Sequence, residues 1–244
     1  MFMRQSRIHT PQTLIDVKNV ELTGSAGHYL TRVLRLSEGD AVTLFNGDGN
    51  DYSGEIADIK SKRVLVRITR SGPAGNESPL KINLVQAICR GERMDNALQK
   101  ATELGVSGIQ PLMCHRVGVR LDQTRQLKRM KHWQAVVISA CEQSGRATVP
   151  EVKEPLSIGD WLSRACASTS VVLHPVAKVS LSALPVTADS LSILVGPEGG
   201  FTEEEIEQLC SHGAVAASLG PRILRTETAG PAAIAVLQAR KGDI

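Results

Sequence analysis

Residues 191–205, LSILVGPEGGFTEEE, constrain this chain more than any other stretch. An apolar run enters a Gly-Pro-Glu-Gly-Gly turn and leaves as an acidic helix start, so the local order is strand, loop, helix. Ile193, Leu194 and Val195 are β-formers in a continuous apolar run, as expected of a strand buried on both faces; periodicity alone leaves a short buried helix open, and the turn decides for the strand. Gly196, Gly199 and Gly200 admit positive φ and close approach of a ligand to main-chain groups, while Pro197 fixes one φ. Thr202 and Glu205 have the spacing of a capping box. Residues 215–219 read as a second apolar strand, followed by Gly220-Pro221-Arg222-Ile223-Leu224-Arg225-Thr226-Glu227-Thr228. Taken alone, GPEGG is an ordinary strand-to-helix turn, and it is neither a dinucleotide fingerprint nor a P-loop. Two glycine-proline loops after two strands point to one shared pocket.

The rest of the chain supplies the frame for that pocket. Up to about residue 70 the signals are those of a small β domain: VTLF at 42–45, a turn through Asn46-Gly47-Asp48-Gly49-Asn50, a partly alternating run at 52–59, and a strict alternation of Val64, Val66 and Ile68 with polar neighbours. The pattern predicts a compact barrel over residues 1–72. The turn-rich SGPAGNESP at 71–79 marks the boundary, with the linker at 73–79 and a second domain over 80–244. There strands and helices alternate: INLVQAI, a helix from about 94 to 104 ended by Gly105, a strand near 109–113, a long helix from about 124 to 141, and a strand SVVLHP at 170–175. This larger domain is α/β, and ligand loops at the carboxyl ends of its strands match the usual placement of sites in such sheets.

Charge and cysteine content exclude some functions and permit others. A formal net charge of +3 over 244 residues permits a nucleic-acid partner without demanding one. With aromatic residues at 3%, a base-stacking platform is not the expected mode of recognition. The five cysteines are scattered, with no C-x-x-C and no zinc-finger histidine spacing, so neither a disulfide framework nor a metal is expected. Cys114-His115 lacks a second ligand cluster or an orienting partner, which argues against a nucleophile. No run is long or apolar enough for a signal peptide or a membrane span, and a reducing cytoplasm is the expected compartment.

Together, GPEGGFTEEE and LGPRILRTETA resemble the SPOUT class of methyltransferases and, within it, the RsmE family, which methylates N3 of a uridine in 16S ribosomal RNA. Arg90-Gly91-Glu92-Arg93, the run QKATELGV at 99–106, ACEQSGR at 140–146 and Arg32-Val33-Leu34-Arg35 are similar to the same family, so the resemblance spans nearly the whole chain. It implies a PUA-like β-barrel that holds structured RNA, a SPOUT-type α/β domain with a trefoil knot, and a homodimer with sites at its interface. The implied cofactor is S-adenosylmethionine and the implied partner is 16S rRNA or the small ribosomal subunit. Cofactor binding is implied for His174, Leu194, Gly196, Gly199, Gly200, Leu219, Gly220, Ile223 and Leu224. Arg222, Arg225 and Glu227 are the implied catalytic group, although a buried ion-pair network holding the loop fits Glu227 equally well.

RNA contacts are implied for Arg4 and Arg7 in a basic amino-terminal arm, and for Arg32 and Arg35 on a short amphipathic helix whose apolar side is Tyr29, Val33, Leu34 and Leu36. Arg90, Arg93, Lys100, Arg116 and Arg146 extend that set, with Lys100 and Glu103 also readable as a plain i, i+3 pair and Arg146 as a helix-terminal charge. The resemblance implies that residues 142–146 form part of the active-site wall, in the same chain or by completing the site of a dimer partner. Gly230-Pro231 departs from the helix-favouring run common in the family, so the last helix is expected to start late. A ribose 2′-O-methyltransferase and a noncatalytic RNA-binding assembly factor are the rival functions.

Overall fold

The computed structural model describes residues 6–61, 63–117, 123–164 and 169–244. Two compact units emerge, one of residues 1–77 with 141–149, the other of 78–140 with 150–244. The sequence pattern holds no cue that 141–149 joins the first unit, because residues 141–144 are the last turn of a helix, Gln123–Ser144, whose earlier turns belong to the second.

In the first unit, β1 (Ser6–His9), β2 (Asn19–Leu22), the short helix α1 (Gly24–His28), β3 (Ala41–Phe45), β4 (Asn50–Lys60) and β5 (Arg63–Pro73) form a five-stranded sheet in the order β1-β3-β4-β5-β2. Every pairing is antiparallel except that of β1 with β3. The order leaves β1 and β2 as edges, so the expected barrel is an open one. Register shifts at Ser53/Gly54 and Ile56/Asp58 bend β4 against β5, which curls the sheet around its core. Gly54 makes the first of these possible, since a Cβ there would collide with the Arg67 carbonyl. Val64 and Val66 are fully buried beside Val42, Leu44 and Ile56, as the alternation predicts.

The expected amphipathic helix at 28–36 takes another form. Residues Tyr29–Val33 make a π-helical turn, closed by Leu34 N–H to the Tyr29 carbonyl at 3.0 Å. The wider turn puts Leu30 in the core with Leu34 and Leu36 against it, while Tyr29 and Val33 face outward. The apolar side is thus Leu30, Leu34 and Leu36 rather than the set containing Tyr29 and Val33.

The second unit runs β6 (Lys81–Ala87), α2 (Glu92–Glu103), β7 (Gly108–Met113), α3 (Gln123–Ser144), β8 (Glu151–Val152), β9 (Leu156–Ser157), α4 (Ile158–Arg164), β10 (Thr169–Leu173), β11 (Val179–Ser180), β12 (Ser190–Val195), α5 (Glu203–Ser211), β13 (Val215–Ser218) and α6 (Thr226–Lys241). All pairings in its sheet are parallel, in the order β11-β13-β10-β12-β6-β7-β8, with β9 on β7. The apolar runs of β6 and β12 sit centrally because a parallel sheet is covered on both faces. One face packs on α4 and α5 through Val85, Val172, Leu194, Trp161 and Leu209, and α6 lies against β6 and β12.

The last helix does not start late. It begins at Thr226, and both Thr228 and Ala229 N–H groups reach the Arg225 carbonyl at 2.9 Å. Pro231 sits inside it and is buried, so tertiary packing overrides the local penalty. Gly230 explains the gain: a Cβ there would lie 3.3 Å from Leu84 Cδ1, so glycine lets the start of α6 close tightly on the sheet.

Candidate active site

The carboxyl ends of β10, β12 and β13 open into a cavity of about 580 Å³. Loop 196–202 follows β12 and turns back through a Gly200 N–H to Pro197 carbonyl bond of 2.9 Å, with Gly200 at φ +68°. Gly196 is held to glycine by close approach, since a Cβ there would lie 3.0 Å from the Phe201 nitrogen. The capping box forms as expected. Thr202 Oγ1 accepts from Glu205 N–H at 3.2 Å, and Glu205 returns a carboxylate oxygen to Thr202 N–H at 2.8 Å. The second oxygen of Glu205 accepts from His115 N–H at 2.7 Å, which ties the loop after β7 to the start of α5.

The two glycine-proline loops converge, and a residue outside the expected site joins them. The Thr226 hydroxyl, at the start of α6, donates to the Gly196 carbonyl at 2.7 Å and accepts from Gln86 Nε2 at 3.0 Å. Gln86 is fully buried on β6, and the Cys89 thiol lies 3.5 Å from the same hydroxyl. The available signal was Gln86 itself, a carboxamide inside the apolar run INLVQAI.

Charged groups around the cavity fall into two kinds. Glu198 accepts from Arg90 N–H at 3.0 Å and from Arg93 at 2.9 Å. Desolvation is the largest influence on its carboxyl and opposes ionisation, but these donors outweigh it and hold the pKa below the usual value. Arg116, which also lines the cavity, donates to the Gly199 carbonyl at 2.7 Å and supports the loop. Arg222 and Arg225 make no ion pair among the described residues, and both line the cavity. Glu227 lines it too, and its Oε2 is buried with no hydrogen-bond partner among the described residues.

Of the residues expected to hold a cofactor, His174, Gly196, Gly199, Gly200, Leu219, Ile223 and Leu224 line the cavity. Leu194 does not; it is fully buried in the layer between the sheet and α4 and α5. Gly220 also lies outside the lining and serves as a turn residue at φ +86°.

Among the arginines and the lysine expected to meet RNA, Arg93 and Arg116 reach the cavity. Arg32, Arg35 and Arg90 are exposed, and Arg4 lies outside the described residues. Lys100 pairs with Glu103 at 2.9 Å, the plain helical pair. Arg7 is bound at both ends of its guanidinium to Asp51, at 2.7 and 2.8 Å, and stacks 5.2 Å from the Phe45 ring centroid. Arg146 is only 4% exposed and grips Glu77 with two nitrogens, at 2.9 and 2.6 Å. Both side chains are spent on the core of the first unit.

Burial pushes the Cys89 thiol up to about 11 and the Cys114 thiol up to about 12, far from a thiolate at neutral pH. No group of three metal-ligating side chains occurs among the described residues. No described helix is long and apolar enough to cross a membrane.

Comparisons with known proteins agree with this architecture. The RNA methyltransferase domain family matches residues 76–238, and the RNA methyltransferase PUA domain family matches residues 22–69. The chain is 36% identical to ribosomal RNA small subunit methyltransferase E of Buchnera aphidicola subsp. Schizaphis graminum, covering 100% of both proteins. It is 31% identical to the protein of that name from Bacillus subtilis, covering 90% of each. Among solved structures, a methyltransferase from Legionella pneumophila in complex with bound SAM superposes with a TM-score of 0.94 at 41% identity, over 99% of this chain and 100% of that one. A ribosomal RNA small subunit methyltransferase E from Neisseria gonorrhoeae bound to S-adenosylmethionine superposes with a TM-score of 0.92 at 38% identity, over the same shares of the two chains. The mixed α/β fold, the parallel sheet and the amino-terminal PUA unit thus place this chain in the ribosomal RNA small subunit methyltransferase E family, the RsmE family.

Proposed function

We propose that this protein transfers a methyl group from S-adenosylmethionine to N3 of a uridine in 16S rRNA. The observation that carries the reading is the convergence of the two loops on one cavity, joined by the Thr226 hydroxyl and holding an unpartnered carboxylate oxygen of Glu227. The cavity's volume lies within the ~300–1,000 Å³ typical of small-molecule sites. Leu173, Val195, Leu219 and Leu224 give it apolar walls, and its glycine-rich rim exposes main-chain groups that suit the edge of an adenine. The residues present therefore fit the cofactor. S-adenosylmethionine supplies a methyl already activated on a sulfonium, and once the S–CH₃ bond breaks the sulfur leaves as a neutral thioether.

The chain's own tasks are alignment and proton removal. His174, Gly196, Gly199, Gly200, Leu219, Ile223 and Leu224 bind the cofactor. Glu227 accepts the N3 proton through its free oxygen, which lets the N3–CH₃ bond form without a cationic base. Arg225 and Arg222, which line the cavity and make no ion pair among the described residues, stabilise negative charge that develops on the uracil oxygens and hold the adjoining phosphate. Residues 1–72 hold structured RNA, with Arg32, Arg35 and Arg90 as phosphate contacts that position it. The active form is a cytoplasmic homodimer whose second unit is threaded as a trefoil knot.

The test is methyl transfer from labelled S-adenosylmethionine to small ribosomal subunits and to naked 16S rRNA, followed by nucleoside analysis. 3-Methyluridine is the expected product. A ribose-methylated nucleoside would assign the protein to 2′-O-methylation instead, and absence of cofactor binding would favour a noncatalytic RNA-binding factor.

A further inference from the structure

The parallel sheet carries a second cavity, of about 490 Å³, toward the amino ends of its strands. Strand register accounts for its floor. Ser192 pairs with Asn83 and Asn83 with Gly108, so three adjacent strands present a row of polar or side-chain-free positions on one face. The next row on that face, two residues on, is Leu194, Val85 and Gln110. Leu194 and Val85 are covered by the apolar layer that includes Trp161, whereas the polar row opens into the cavity. Central strands of a parallel sheet are ordinarily apolar on both faces, and an asparagine there gives up burial and β-propensity. Folding alone does not account for the row.

Its details are those of a built site. The Asn83 carboxamide and the Ser192 hydroxyl have no hydrogen-bond partner among the described residues. Position 108 is glycine where a Cβ would lie 2.8 Å from Asn83 Oδ1, so glycine leaves room for that carboxamide. Gln110 donates its amide to the carbonyls of Pro111 and Glu154, at 2.9 and 2.6 Å, which fixes the side chain and leaves its oxygen as an acceptor. At the rim, Lys153 and Arg164 are exposed and make no ion pair among the described residues, and Glu154 is the single acid of the lining.

We propose that this cavity binds a nucleotide. The heterocycle lies against Trp161 and Leu156, and its edge is read by the carboxamides of Asn83 and Gln110, the side-chain type that matches paired donors and acceptors on a base. Glu154 takes the ribose hydroxyls, as acids do in nucleotide sites, and Lys153 with Arg164 holds the phosphate. The nucleotide is either free in solution or an unpaired residue of an RNA strand; the recognition chemistry is the same.

The chain has two tryptophans, and the experiment uses both. Trp161 lines the cavity, whereas Trp133 is buried on α3 outside it and serves as an internal control. The ¹⁵N-labelled full chain, its indole resonances assigned with Trp133→Phe, is titrated with the four ribonucleoside monophosphates and with a short single-stranded oligoribonucleotide. The Trp161 resonance is expected to shift saturably at millimolar concentration or below while that of Trp133 stays. Replacing the exposed pair, Lys153→Glu with Arg164→Glu, is expected to weaken that binding by about tenfold or more. An oligoribonucleotide that binds about tenfold tighter than every monophosphate, and loses that advantage in the double variant, assigns the site to RNA; equal affinities assign it to the free nucleotide. A Trp161 resonance unmoved by all ligands, or a shift that the double variant leaves intact, overturns the proposal. No S-adenosylmethionine is present, so the outcome is independent of methyl transfer.

Discussion

Replacing Thr226 with valine removes the bond between the two loops and little else. Valine keeps the branched shape, so packing and helix propensity hardly change. Two strong buried hydrogen bonds go, the 2.7 Å donation to the Gly196 carbonyl and the 3.0 Å acceptance from Gln86 Nε2, together with the weaker 3.5 Å contact to the Cys89 thiol. Gln86 Nε2 retains the Ala87 carbonyl at 3.1 Å, so its loss is the smaller one, whereas Gly196 loses its hydroxyl donor. With a net ~0.5–1.5 kcal/mol for a satisfied bond and ~1–3 kcal/mol for a stranded buried group, the sum is about 2 kcal/mol. Denaturant unfolding of the full chain measures that directly. If all of it is drawn from cofactor binding, affinity for S-adenosylmethionine falls by about thirtyfold, and calorimetry should find a loss between several-fold and that limit. Thr226→Ser keeps both bonds and drops one methyl, so it should bind as the parent does and lose about 1 kcal/mol of stability. A valine variant that unfolds and binds the cofactor as the serine variant does would refute the role given to this hydroxyl.

Four further outcomes are expected. Arg225→Ala should lower turnover far more than cofactor affinity, because its side chain lines the cavity and makes no ion pair among the described residues; equal losses in both would refute its assigned role. Arg32→Ala with Arg35→Ala should weaken RNA association and flatten its salt dependence, and an unchanged slope of log affinity against log salt would remove both from the RNA surface. Arg146→Ala should cost about 3 kcal/mol in unfolding experiments, since it strands Glu77 beside a buried space; a loss near zero would mean the pair is not a core element. Burial raises the Glu142 carboxyl above 4.5 against the opposing bond from His9 N–H, so this group's contribution to stability falls as pH rises from 4.5 through the raised pKa. Glu142→Gln keeps that acceptor and removes the charge, so its unfolding free energy should lose this decline and at neutral pH equal or exceed the parent's. Burial lowers His9 from 6.5, so its own contribution instead falls as pH drops below 6.5; His9→Gln as a second background separates the two windows.

Much of the site was legible because it is local. The strand-loop-helix order at 191–205, the Thr202–Glu205 capping box and the positive φ of Gly200 depend on residues within a few positions of one another, and the sequence alone determines them. Alternation in β5 and continuous apolarity in β6 and β12 likewise follow from side-chain period and burial. The pairing of two similar loops anticipated one cavity, and family resemblance supplied its chemistry. Tertiary structure decided what joins those loops and which charges remain available. Gln86 meets Thr226 across 140 positions and Arg146 meets Glu77 across 69, so no window of sequence contains either partner. The same holds for Leu194, whose apolar character suits a cofactor wall or a core equally and whose place in the core is set by α4 and α5. Arg7 and Arg146 read as surface cations in a string of letters, and only their neighbours in space show that each already holds a carboxylate, whereas the Lys100–Glu103 pair was readable from its i, i+3 spacing. Local propensity and period are properties of neighbouring residues, whereas desolvation and pairing belong to distant ones, and that difference separates what could be read from what had to be folded.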